Sequence, residues 1–232
     1  KVTIMLGKLA GYLWGDLSRD EIKKYSLLSL TFFFLIGAYW LLRTQKDAVF
    51  STIVGLEYQP KAKMLSLFVV IPLLLVYARL VDMFSKDKLL MIFATLYAGG
   101  FMATALLLDH PTIGLPNTQA DPSRIFGWFV YMFIETYGSL LVGLFWAFVT
   151  SSTKAESAKK GYPLIIAGAQ FGSILGSYMS WKSEYFGNQF LVRVGAIACA
   201  AIIPMVLLFL WAVPKSERTD RKSTRLNSSH LV

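Results

Sequence analysis

Six stretches of mostly apolar residues divide this chain of 232 residues. Because a helix rises 1.5 Å per residue, about 20 apolar residues cross the ~30 Å hydrocarbon core of a bilayer. Hydrophobic residues make up 55% of the chain and charged residues only 16%, whereas soluble domains carry about 25% charged residues. The pattern predicts an all-α integral membrane protein with a bundle of six transmembrane helices. The predicted spans are 26–42, 62–81, 89–108, 125–150, 162–181 and 190–213, and the helix of the first span can continue to Phe50.

The segments that flank the spans are polar. Residues 1–25 carry aromatic and basic side chains, which predicts an amphipathic cytoplasmic lead-in at the membrane interface. Residues 214–219 are expected to begin a cytoplasmic linker. Residues 220–232 resemble an in-frame translation of a sequencing adapter, which we interpret as an artefact; the alternative is a natural basic tail. Because the chain also begins at Lys1 rather than Met, we expect the natural protein to extend beyond both ends.

The distribution of basic residues predicts the orientation in the membrane, since Lys and Arg are enriched on the cytoplasmic side. With a cytoplasmic N-terminus, thirteen of the twenty Lys and Arg residues before residue 220 lie inside and seven lie outside. We therefore expect both ends inside, in a bacterial inner membrane. The net charge of +9 lies mostly in short loops and requires no nucleic acid partner. Basic residues between Arg43 and Lys63 are an exception on the outer side, which indicates another role for them.

One face of the first helix carries Tyr39, Arg43 and Lys46, because residues four and seven positions apart share a face. Two cations beside an aromatic ring suit a phosphorylated aromatic substrate. Cations bind phosphate oxygens, while the ring stacks or hydrogen-bonds. The alternative is an interfacial anchor in which Arg43 pairs with Asp47, four residues later.

An ionisable residue, Glu135, lies ten residues into the fourth span. A carboxylate at that depth costs a few kcal/mol, so it is expected to face a cavity or a partner. The mixture of small, polar and aromatic residues on or near its face favours a water-filled path; the alternative is a structural ion pair with a cation on a neighbouring helix. These neighbours are Trp128, Tyr131, Gly138, Ser139, Val142 and Trp146.

The fifth span carries glycines four residues apart, at Gly168, Gly172 and Gly176. This spacing lets two helices approach closely and predicts a packing face. The sequence contains no Walker-type glycine loop, no cluster with metal-ligand spacing and no Ser/His/Asp set. We therefore expect no enzymatic activity, no cofactor and no metal.

Several of these motifs resemble the ATP/ADP translocase family, the nucleotide transporters of intracellular bacteria and plastids. The resemblance covers roughly residues 12–213, and its motifs are Glu21-Ile-Lys-Lys24, Arg43-x-x-Lys46-Asp47, Glu135-x-x-Gly138-Ser139 and Leu144-Phe-Trp-x-Phe148. It implies that Lys46 and Glu135 are charges needed for transport. It also implies the N-terminal half of a major-facilitator-like transporter with twelve helices. Thr44 stands where many members have Asp, which leaves the choice of substrate open.

The expected function is transport of nucleotides by alternating access, either as ATP/ADP exchange or as nucleotide import. Lys46 and Arg43 would hold phosphates, Tyr39 or Tyr131 would contact the base, and Glu135 would pair with a cation or carry a coupling proton. The expected partners are the nucleotide, the lipid bilayer and a missing C-terminal half with six helices. The alternatives are a major-facilitator carrier of another organic anion, a membrane scaffold without transport activity, or a subunit of a membrane enzyme.

Overall fold

The computed structural model of this protein describes residues 18–214. Its elements are six long helices without a β-strand in that range, joined by short turns and one longer loop at 109–124. The helices are α1 (Arg19–Ile53), α2 (Gln59–Met83), α3 (Lys86–Leu108), α4 (Ile125–Ser152), α5 (Ala155–Trp181) and α6 (Asn188–Ala212). A 3-10 turn (Leu56–Tyr58) leads into α2, and a one-turn helix (Ser183–Phe186) precedes α6. The predicted all-α fold is confirmed.

Five of the six long helices in residues 18–214 are long and apolar enough to cross a membrane. This confirms a multi-pass integral membrane protein. The exception is α5, which contains the predicted fifth span at 162–181. Gly, Ser and Gln interrupt its apolar residues and lower its hydropathy. The count of six spans therefore stays a prediction.

The first helix begins earlier and ends later than the predicted span at 26–42. It begins after Ser18, whose hydroxyl accepts from the backbone N–H of Glu21, while the Glu21 carboxylate accepts from the N–H of Ser18. This reciprocal capping fixes the start of the helix. Residues 19–25 of the predicted lead-in thus form the first turns of α1, and residues 1–17 lie outside the described residues. So do the adapter-like tail and all but the first residue of the predicted linker.

The central helix of the bundle is α1, which packs against α4, α5 and α6. Its approach to α5 depends on glycine. A Cβ atom at Gly37 would lie 3.3 Å from the carbonyl oxygen of Gly172, and one at Gly176 would lie 3.2 Å from the backbone nitrogen of Leu41. Gly168 likewise faces the backbone of Ser29. The predicted packing face on α5 is therefore confirmed.

The second helix lies at the edge of the bundle and packs mainly against α4. Ala62 and Ser66 are its buried residues, and Pro72 lies inside it. Large apolar side chains such as Phe68 and Leu75 remain exposed. Further along α2, side chains that are only partly buried still pack against the core: Leu73, Tyr77, Leu80 and Val81.

Candidate functional site

The two charged residues that the sequence analysis singled out separately form an ion pair between α1 and α4. The ammonium nitrogen Nζ of Lys46 lies 2.5 Å from Oε2 of Glu135. Tyr131 lies one turn before Glu135 on α4, and its ring centroid is 4.3 Å from the same nitrogen. Asp47 Oδ1 lies 4.0 Å away on another side. Lys46 thus contacts an aromatic ring and two carboxylates.

A cavity of about 450 Å³ opens beside this pair, between α1, α2 and α4. Its wall combines three cations, two carboxylates, two tyrosines, two serines, one glycine and one isoleucine. These residues are Tyr39, Arg43, Lys46, Asp47, Lys63, Ser66, Tyr131, Ile134, Glu135, Gly138 and Ser139. The absence of a side chain at Gly138 makes room for Tyr39, because a Cβ atom there would lie 2.7 Å from Cδ2 of the tyrosine ring. The cavity therefore places aromatic surface next to a cluster of charges.

The guanidinium of Arg43 lies over two aromatic side chains of its own helix. It donates to the hydroxyl oxygen of Tyr39 at 3.4 Å, and its carbon Cζ lies 5.3 Å from the ring centroid of Trp40. The alternative pairing of Arg43 with Asp47 is not among the ion pairs of residues 18–214, since Asp47 lies beside Lys46 instead. Arg43 is therefore a cation of the cavity that has no ion pair with a carboxylate in residues 18–214.

The charges of the cavity nearly cancel. Arg43, Lys46 and Lys63 face Asp47 and Glu135, which leaves one positive charge in excess. An isolated carboxylate or ammonium in the middle of a bilayer costs about 2.5–3.5 kcal/mol on insertion scales. The contact between Lys46 and Glu135 offsets much of that cost for both groups. A bound anion would have to replace Glu135 as the partner of Lys46, or bind to the other cations.

The structure brings all five predicted substrate contacts, Tyr39, Arg43, Lys46, Tyr131 and Glu135, to one cavity. Of the neighbours expected on the face of Glu135, Gly138 and Ser139 also line it. The remaining ones do not. Trp128 donates to the carbonyl of Pro122, Trp146 packs on Phe32, and Val142 packs against the core. The expected polar path is therefore shorter than the helical pattern predicted.

Four residues of the wall were not assigned to the site from the sequence: Asp47 and Ile134 lie next to assigned residues, whereas Lys63 and Ser66 come from α2. Periodicity on α1 or α4 could not find Lys63 and Ser66, because they come from a helix whose register relative to those two is set by tertiary packing. One signal did exist. The surplus of basic residues between Arg43 and Lys63 contradicts the usual distribution of charge on an outer segment.

An arginine before α4 joins the ends of the two helices that carry the ion pair. The guanidinium of Arg124 donates to the carbonyl oxygens of Gly114 at 2.7 Å and of Gln119 at 2.9 Å, both in the loop at 109–124. It also reaches the carbonyl of Ile53 at the end of α1, at 3.4 Å. The N–H of Asp121 donates to that same carbonyl at 3.1 Å. The loop therefore fastens the end of α1 to the start of α4.

The loop is also ordered by a carboxylate outside the membrane-spanning segments. Asp121 accepts a hydrogen bond of 2.8 Å from the backbone N–H of Ser123. This hydrogen bond lowers the pKa of the Asp121 carboxyl, because it favours the charged form. The loop joins the end of α1 to the start of α4, so the depth of Lys46 and of Glu135 can be counted from the same end of the bundle. At 1.5 Å per residue, Lys46 lies about 10 Å and Glu135 about 15 Å from that end.

Apolar helices around a polar cavity with an internal ion pair define a multi-pass membrane protein with a charged site inside its bundle. The chain belongs to the TLC ATP/ADP transporter family, since the model of that family matches residues 1–121, just over half of the 232 residues. Lys46 lies within the matched part and Glu135 beyond it.

The chain is also similar to curated proteins named ADP,ATP carrier. It is 28% identical to ADP,ATP carrier protein 1 of Chlamydia muridarum, over 77% of this chain and 38% of that protein. It is 23% identical to ADP,ATP carrier protein 1 of Rickettsia bellii, over 94% of this chain and 48% of that protein. For ADP,ATP carrier protein 4 of Rickettsia prowazekii the identity is 23%, over 90% and 45%. The chain thus spans less than half the length of these relatives. No solved structure matches it.

Proposed function

We propose that this chain is the N-terminal half, with six transmembrane helices, of a nucleotide carrier that works by alternating access. Membership of the ATP/ADP transporter family and similarity to proteins named ADP,ATP carrier support this function. The length of those relatives supports a second half of similar size. The observation that carries the proposal is the Lys46–Glu135 contact of 2.5 Å beside a cavity that contains two further cations and two tyrosines.

The proposed site divides the nucleotide between two kinds of side chain. Lys46 and Arg43 bind phosphate oxygens, because an ammonium and a guanidinium are strong donors to anionic oxygen. Tyr39 and Tyr131 contact the base or the ribose, since both line the cavity and a tyrosine offers a ring and a hydroxyl; Tyr131, 1% exposed, would do so once Lys46 has moved off its ring. Glu135 holds Lys46 while the cavity is empty. The substrate would lie between this half and the second one, as in transporters built from repeated halves.

Exchange of partners at Lys46 links binding to movement. A phosphate that accepts a hydrogen bond from Lys46 displaces Glu135, whose carboxylate must then be hydrated, protonated or paired with another cation. Because Lys46 lies on α1 and Glu135 on α4, breaking their contact changes what holds these two helices together. The substrate can in this way favour one arrangement of the bundle over another, provided that it binds the two arrangements with different affinity.

The proposed orientation places the N-terminus in the cytoplasm of a bacterium and the loop at 109–124 on the outer side of its inner membrane. The distribution of Lys and Arg supports it. In this orientation three of the four outer basic residues between Arg43 and Lys63 line the substrate site; they are Arg43, Lys46 and Lys63, and Lys61 is the exception. A cysteine introduced at Gln119, an exposed loop position, should react with a membrane-impermeant maleimide in intact cells. Labelling only after lysis would show that the orientation is the opposite one.

Uptake of labelled nucleotides tests the proposal. Cells that express the complete gene product should take up ATP or ADP, and Lys46→Ala or Glu135→Ala should reduce uptake to background. Lys61→Ala is the matched control, because Lys61 lies over the ring of Tyr58 and does not line the cavity. Unchanged uptake in both variants would refute the assignment of Lys46 and Glu135 to the substrate site. Uptake is also measured with GTP, NAD and a phosphorylated compound that has no base. Uptake of that compound would indicate a carrier of another organic anion instead of a nucleotide carrier.

A further inference from the structure

Three cations line the cavity, and they differ in what surrounds them. Lys46 contacts Glu135, and Arg43 lies against Tyr39 and Trp40. Lys63 of α2 is exposed to the cavity and forms no ion pair within residues 18–214. Arg43 also has no ion pair but lies over two rings. Lys63 is therefore the one of these three cations with neither an ion pair nor a cation–π contact in the described residues, and it is the most available to a newly bound anion.

The start of α2 directs Lys63 to this position. Ala62 and Ser66 are the buried residues of α2, and the hydroxyl of Ser66 donates to the carbonyl of Lys63 at 2.7 Å. Lys61, two residues earlier, instead lies 4.9 Å from the ring centroid of Tyr58. Two lysines on the same helical turn thus have different surroundings, and Lys63 alone of the two lines the cavity.

We propose that Lys63 makes the site select anions by their number of phosphates, so that nucleoside triphosphates and diphosphates bind better than monophosphates. This inference rests on the proposed nucleotide site. The contact between Lys46 and Glu135 is neutral as a whole, so an entering anion gains little from it until it has displaced Glu135. Coulomb attraction to the remaining cations grows with the charge of the ligand. A cation without a carboxylate partner therefore contributes most to the binding of the most highly charged ligand.

Competition for uptake measures this selectivity. Unlabelled ATP, ADP and AMP compete with labelled ATP in proteoliposomes that contain the complete gene product, either unchanged or as Lys63→Gln, Lys63→Arg or Lys61→Gln. We expect Lys63→Gln to reduce the ratio of the AMP to the ATP inhibition constant about tenfold, the effect of one lost charge-assisted hydrogen bond. Lys63→Arg should keep the ratio within about threefold, because the charge is retained. Lys61→Gln should leave it unchanged.

Two results of this experiment would overturn the inference. One is an unchanged ratio in Lys63→Gln. The other is an equal reduction in Lys61→Gln, which would indicate general surface charge instead of a site. Because Lys63 is exposed, both glutamine variants should fold, and an unchanged elution profile in size-exclusion chromatography checks this.

A second measurement separates failure of this inference from failure of the proposed function. Equilibrium binding of inorganic triphosphate and of orthophosphate to the purified protein requires neither a base nor transport. A preference for triphosphate that Lys63→Gln abolishes, in a protein that takes up no nucleotide, would refute nucleotide transport and support selection by Lys63. Triphosphate binding that is the same in Lys63→Gln and in the unchanged protein would refute the role of Lys63, whatever the protein transports.

Discussion

Removal of the charge of Glu135 leaves the Lys46 ammonium in a place that little water reaches. We expect Glu135→Gln to lower the free energy of unfolding by about 2 kcal/mol. A buried ion pair that loses one partner typically costs about 3–5 kcal/mol, and an exposed pair contributes about 0–1 kcal/mol. This pair lies between those limits, since the side chain of Lys46 is 7% exposed and that of Glu135 is 36% exposed. Asp47, 4.0 Å from the ammonium, compensates part of the loss.

A double-mutant cycle isolates the interaction itself. Lys46→Met should cost less than Glu135→Gln, about 1 kcal/mol, because the half-exposed carboxylate left behind can be hydrated. The double variant should cost about 1–2 kcal/mol less than the sum of the two single variants, as expected for directly contacting charges. Reversible unfolding of the complete gene product in mixed micelles, titrated with sodium dodecyl sulfate, provides the three free energies. Costs that add to within about 0.5 kcal/mol would show that the two residues do not interact.

Three other regions give further predictions. Gly172→Val should lower the thermal unfolding temperature by several degrees, because a larger side chain forces α5 away from α1; Gly99→Val is the matched control, since a Cβ atom there meets nothing within 4 Å. Arg124→Gln should destabilise the protein by about 2 kcal/mol through lost hydrogen bonds to backbone carbonyls, and Arg124→Lys should restore only part of that in the same thermal assay. Cys199 is the one cysteine of the chain and is fully buried; it should react with maleimide only after denaturation, and rapid labelling of the folded protein would contradict the packing of α6.

The length of the apolar segments was enough to predict the helical fold, because the hydrocarbon core sets the number of residues per span. The ends of the helices were harder to predict. The extension of α1 from 26–42 to Arg19–Ile53 depends on capping at Ser18 and on polar residues that face the cavity instead of lipid. The fifth span shows the opposite difficulty. Glycines that let α5 approach α1 also lower its hydropathy, so packing and membrane insertion impose conflicting demands on that sequence.

Part of the candidate site could also be predicted from the sequence. Helical periodicity places Tyr39, Arg43 and Lys46 on one face, and the cost of burying a carboxylate identifies Glu135. An ion pair between Glu135 and a cation on a neighbouring helix was one of the two expectations for Glu135, and the structure contains it. Lys46 could not be identified as the partner, because the distance between α1 and α4 is set by tertiary packing and by the loop around Arg124. The contribution of Lys63 could not be predicted either, since the register of α2 against α1 and α4 is set by tertiary packing.

In the proposed function phosphate and Glu135 compete for Lys46, and equilibrium binding of labelled ATP to the purified complete gene product measures this competition. If they compete, Glu135→Gln frees Lys46 and should bind ATP about tenfold more tightly, which corresponds to the 1–2 kcal/mol of coupling expected above. The same variant should take up no ATP, because exchange of partners is no longer possible, and Lys46→Gln should lose both binding and uptake. Binding by Glu135→Gln that is equal to or weaker than that of the unchanged protein would show that phosphate and Glu135 do not compete for Lys46.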